Sequence, residues 1–165
     1  MLTTIILTVI LWALFFLMEL AAAAFYPHSF IIEYFPDDVK EKARNHKAPF
    51  KSAPVIGWIL IVLVLGGFVG TFVYGGWDGI NKGYSYVQFL VRFLIMLYGM
   101  KAFDILFFDY FILTKTHFFQ HFFPETEDCA GWKQFGYNRK EQIKRLIMML
   151  PCAAITALIC WWIGG

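Results

Sequence analysis

The sequence predicts an all-α integral membrane protein: a single domain, residues 1–165, built as a four-helix bundle with both termini outside and two cytoplasmic connectors carrying short interfacial helices. Three observations carry that prediction. Apolar residues make up 59% of the chain and charged residues 16%, where a soluble domain is about 45–50% apolar and about 25% charged. The 19 Phe residues, together with several long apolar runs, exceed what one soluble core could hide, whereas runs of about twenty residues suit a bilayer. Finally, the basic residues gather in two long polar stretches rather than along the whole chain.

The first span covers 2–26 and holds Glu19 well inside it. Its alanine run at 21–24 would also suit a signal-peptidase site, but the basic start of a signal peptide is missing. It is therefore read as a retained span. The connector 27–53 contains a short helix that starts at Pro36-Asp37-Asp38 and has Lys40, Lys42, Arg44 and Lys47 toward its end. Acids early and bases late complement the helix dipole. The apolar, aromatic residues just before it predict a segment lying along the membrane surface.

The second span, 54–77, is uncharged and opens on Ser52 and Pro54, suited to an N-cap and a first turn. Gly66 and Gly70 form a GxxxG pair, which lets another helix approach closely. A Gly-rich turn follows at 78–84. Ser85 and Gln88 then have capping-box spacing at the head of the third span, 85–116. The second connector, 117–140, ends at a similar pair, Asn138 and Glu141, before the fourth span, 141–163. Pro151 is expected to kink that span, because a mid-helix proline removes a backbone bond and crowds the previous turn.

Orientation follows from the basic residues. Lys40, Lys42, Arg44, Lys47 and Lys51 lie in one connector and Lys115, Lys133, Arg139 and Lys140 in or beside the other, against Lys82 alone in the short turn. The positive-inside rule places both connectors in the cytoplasm. Tyr74, Trp77, Tyr84, Tyr86, Trp161 and Trp162 then form an aromatic belt at the outer face.

The third span is the chemically unusual one, since it carries Arg92, Lys101, Asp104 and Asp109. Ionisable groups inside a span are costly and tend to mark functional sites. At 1.5 Å per residue, Glu19 and Lys101 both fall roughly 24–26 Å below the outer face. Glu19, Lys101, Asp104 and Asp109 are therefore expected to form a pocket opening to the cytoplasm. The alternative is a structural staple in which Lys101 only neutralises a carboxylate. Arg92 sits about 10 Å from the outer face by the same rise, as a secondary charge expected to snorkel outward.

A second candidate lies in the following connector. His117 and His121 are four apart, a helical metal-ligand spacing, and Glu125, Glu127, Asp128 and Cys129 follow. His28 is expected near the same interface. The cofactor is unknown: a metal at His117 and His121 is the one candidate, set against ordinary interfacial packing, and no haem-attachment or nucleotide-binding motif is present. Cys152 and Cys160, about 12 Å apart along one helix, are too distant to pair.

The expected partners are the lipid bilayer and either further copies of the chain or a membrane partner protein. A net charge of +2 gives no footing for nucleic acid. Three function classes fit. The first is a proton- or ion-coupled carrier using the intramembrane carboxylates. The second is a membrane-embedded enzyme acting on a lipid or lipid-linked substrate at the inner leaflet through the loop from His117 to Cys129. The third is an accessory or scaffold subunit.

Overall fold

The computed structural model describes residues 1–25 and 31–165, and every regular element among them is a helix. In chain order these are α1 (Leu2–Phe25), a 3-10 turn (Ile32–Tyr34), α2 (Asp37–Ala43), α3 (Ala53–Asn81) and α4 (Tyr86–Phe103). A π-helical stretch (Asp104–Ile112), α5 (Leu113–Lys115) and α6 (Phe118–Phe122) follow. Two further 3-10 turns (Pro124–Thr126 and Ala130–Lys133) lead to α7 (Arg139–Gly164). Three helices, α1, α3 and α7, are long and apolar enough to cross a membrane. Their outward side chains, among them Ile5, Val62, Leu63, Val73 and Ile147, are large, apolar and exposed, as lipid-facing positions would be.

The predicted boundaries need modest correction. The helix expected to stop at 77 runs on to Asn81, taking in Asp78 and shortening the turn. The third apolar run is not one α-helix. Its hydrogen-bonding pattern widens at Asp104, and its last helical residue is Lys115. The capping box at its head is made: the Ser85 amide donates to Gln88 Oε1 (2.9 Å) and the Gln88 amide to Ser85 Oγ (3.4 Å). The one expected at α7 is not, since the Glu141 carboxylate accepts from Lys144 (2.7 Å) while Asn138 Nδ2 donates to Asp109 (3.4 Å). α7 continues through Pro151. The Tyr98 hydroxyl donates to the Leu146 carbonyl (2.8 Å), next to the carbonyl that the proline deprives of its usual donor.

The chain forms two compact units. Unit 1 comprises Met1–Leu14, Leu65–Phe103 and Lys140–Gly165, and unit 2 comprises Phe15–Val64 and Asp104–Arg139. The core of unit 1 is built from Leu7, Leu11, Phe89, Phe93, Met96 and two alanines of α7, Ala153 and Ala157. The alanines let α7 approach closely, and Phe89 and Phe93 stack at 6.3 Å. At Gly99 a Cβ would come within 2.6 Å of the Thr8 methyl, so only glycine admits α1 there. The Gly99 carbonyl accepts from Trp12 Nε1 (2.9 Å), and the Trp12 ring stacks on Phe103 at 5.2 Å.

Unit 2 joins the two connectors around four aromatic rings. Phe35 meets Phe119, Phe123 and Trp132 at centroid distances of 5.3, 5.4 and 4.9 Å, and Phe119 stacks on Trp132 at 5.7 Å. Trp132 is buried with its indole N–H satisfied by the Thr126 carbonyl (2.8 Å) and hydroxyl (3.1 Å). Asp38 ties the first connector to the second by accepting from the Gly131 amide (2.8 Å). A Cβ at Gly131 would overlap the same carboxylate.

Candidate functional site

Unit 2 brings three carboxylates together. In this unit Phe15 and Phe16 of α1 pack on Phe107 and Phe108, with ring centroids 5.3 to 6.2 Å apart. Glu19 follows one turn later on that same face of α1. It lies within electrostatic reach of Asp104 and Asp109, and all three side chains are half-buried. Asp109 also accepts from Asn138 Nδ2 at 3.4 Å.

The π-helix explains how two aspartates five residues apart can serve one site. At 100° per residue, positions 104 and 109 would point about 140° apart on an α-helix. In a π-helix the backbone bonds run from residue i to i+5, so residues five apart come into near-vertical register. Asp104 opens the stretch and Asp109 stands one π-turn later. Sequence reasoning found both residues and missed what aligns them. The run FDILFFDYFI contains no proline or glycine, so no local signal marks the wider turn.

Lys101 belongs to unit 1 and is buried. Arg92 is in unit 1 as well; its side chain reaches toward Asp78 and Tyr84 but is buried there rather than held in water. Only 1% of its side chain is exposed, because the polar end of α3 supplies partners inside the unit. The guanidinium donates to Asp78 Oδ2 (2.8 Å), the Gly75 carbonyl (2.5 Å), Thr4 Oγ1 (3.2 Å) and the Tyr84 hydroxyl (3.0 Å). It also lies 4.5 Å from the centre of the Tyr84 ring. Asp78 in turn accepts from Lys82 (2.7 Å). The buried guanidinium thus has an opposite charge and three further acceptors around it, as a structural tie would. The extension of α3 to Asn81 is the feature that hides this from the sequence, which reads Asp78 as a turn residue.

The second candidate separates into structural parts. His117 is the N-cap of the short α6 and His121 lies within it, its amide donating to the His117 carbonyl (3.0 Å), and both side chains are exposed. Glu125 bonds His46 (2.8 Å) and Asp128 bonds Lys42 (2.5 Å), which hold the two connectors together. The Lys42 ammonium keeps the Asp128 carboxyl below the usual carboxylate range, and that hydrogen bond raises the lysine. Glu127 is exposed. Cys129 is buried with Sγ 3.7 Å from the Asp38 carbonyl, and burial pushes its thiol above the ordinary value, which weakens it as a nucleophile. Among the described residues no three His, Cys, Asp or Glu side chains gather as a metal site would require. His28 lies outside the described residues. Gly66 and Gly70 face open space, with no atom within 4 Å of a Cβ built on either.

No family model matches the chain, and neither a curated protein nor a solved structure is significantly similar to it.

Proposed function

We propose that the chain is a four-span, multi-pass membrane protein with both connectors cytoplasmic, working as a proton- or ion-coupled carrier through Glu19, Asp104 and Asp109. The single observation that carries this reading is that Glu19 of α1 lies within electrostatic reach of Asp104 and Asp109, which a π-helical turn brings into register. Carboxylates near one another repel when all are ionised, so such a set is suited to sharing a proton or exchanging it for a cation. π-Helical turns inside α-helices recur at functional sites. The basic connectors and the aromatic residues near the 82–85 turn support the orientation. Lys101 takes no assigned role.

The test uses inside-out vesicles carrying the protein, energised so that a pH-sensitive acridine dye is quenched. Addition of Na⁺, Li⁺, K⁺ or a small organic cation is expected to restore fluorescence for at least one of them. Glu19→Gln should abolish the response while expression is unchanged. Absence of any response from wild-type protein, or a response untouched by Glu19→Gln, Asp104→Asn and Asp109→Asn, would overturn the proposal.

A further inference from the structure

An open apolar groove of about 610 Å³ lies within unit 1, between α1 and α3. Leu2, Ile6 and Ile10 form one wall, and Gly70, Thr71 and Tyr74 form the other. Its volume is within the range of about 300–1,000 Å³ found for small-molecule sites. Gly70 leaves the floor smooth, with no atom near its absent side chain. Thr71 turns its hydroxyl back to the Gly67 carbonyl (2.7 Å), which leaves the Tyr74 hydroxyl as the polar group of that wall. The charge is at one end. There Thr3, which also lines the groove, accepts from Lys82 Nζ at 3.2 Å.

The charge at that end does not cancel. One carboxylate, Asp78, faces two cations, Arg92 and Lys82. Arg92 is sealed inside the unit, whereas the Lys82 side chain is 47% exposed. An ammonium has three donors, and Lys82 uses two, on Asp78 and Thr3. An apolar channel closed at one end by a cation with a spare donor matches one class of molecule.

We infer that this groove holds an acyl chain of an anionic phospholipid from the leaflet beside the 82–85 turn, with the headgroup phosphate on Lys82. The inference rests on the chain being a membrane protein, and is independent of transport. Inside a bilayer the groove gains little by apolar burial alone, since lipid tails are as apolar as its walls. Retention and selectivity therefore come from the headgroup contact. The competing occupant is a helix of a second copy packed on the Gly66–Gly70 face. The groove argues against it, because Gly70 lines the floor and Gly66 does not.

Native mass spectrometry of the purified protein, exchanged with phosphatidylglycerol or phosphatidylcholine, provides the test. Wild-type protein is expected to retain one phosphatidylglycerol at least fivefold better than phosphatidylcholine. Lys82→Gln should erase that preference, and Gly70→Leu should remove the retained lipid with both headgroups. Gly66→Leu is the control, with equal open space and no part in the groove, and should bind as wild type. Equal retention by wild type and Gly70→Leu would overturn the inference. So would a headgroup preference untouched by Lys82→Gln, or loss of a dimer in both glycine variants without loss of lipid. Circular dichroism confirms that each variant is folded, and a variant that fails is replaced by Gly70→Ala or Lys82→Met with the same expectations.

Discussion

Two charged sites, one in each unit, differ in what surrounds them. In unit 1 the buried Arg92 has an opposite charge, two hydroxyls, a carbonyl and an aromatic face around it. In unit 2 the half-buried Glu19 has two groups of its own sign nearby. Complementary partners lower the energy of the folded state, and like-charged ones raise it. Charge on an apolar helix can thus serve as a tie, as at Arg92, or gather like groups, as at Glu19.

The largest expected effect breaks the unit 1 arrangement. Asp78→Leu leaves the Arg92 guanidinium buried among neutral acceptors and should cost about 3–5 kcal/mol. Thermal melting in detergent measures it. Adding Arg92→Met removes the stranded charge, so the double variant should melt above Asp78→Leu alone. If it melts lower, the cluster is no charge-paired tie. Next in size is Trp132→Phe in unit 2, which removes the donor to Thr126 and part of the aromatic core. A loss of about 1–3 kcal/mol is expected, read by the same melts.

Glu19→Gln sharpens the contrast from the other side. Relieving a like-charge cluster should leave stability within about 1 kcal/mol of wild type or raise it, as is common when functional groups are replaced. A large loss would make Glu19 a structural residue and erase the distinction between the units.

The smallest effect concerns the exposed pair Lys42–Asp128. Asp128 is depressed in the folded protein, so its contribution is present above its unfolded value, near 3.9, and is lost as pH falls through the lower folded value. Lys42 is raised, so its contribution is present at neutral pH and fades only at strongly alkaline pH. A wild-type versus Asp128→Asn comparison by melting should therefore show a small difference that is constant from pH 6 to 8 and shrinks below about pH 4.

Much of this was legible in the residues. The long apolar helices, the start of α2 at Asp37 and the Ser85–Gln88 cap follow from patterning and local hydrogen bonding, which sequence spacing encodes directly. Glu19, Asp104 and Asp109 stood out because charge is rare in such segments. What escaped was non-local. Asp78 looks like a loop residue until α3 is seen to continue beneath it, and Arg92 then has a partner 14 positions away. The π-turn escaped because backbone widening leaves no compositional trace. Cys129 reads as loop chemistry, yet it is buried against Asp38, a residue whose role only folding reveals.

The tie between the connectors has a consequence for the chain as a covalent object. Asp38–Gly131, Lys42–Asp128 and His46–Glu125 all join residues on opposite sides of the exposed Lys47–Lys51 stretch. A tryptic cut after Lys47 or Lys51 is therefore expected to leave the two fragments associated, which size-exclusion chromatography of the nicked protein checks. The amino-terminal piece stays clasped through the Phe35 ring cluster.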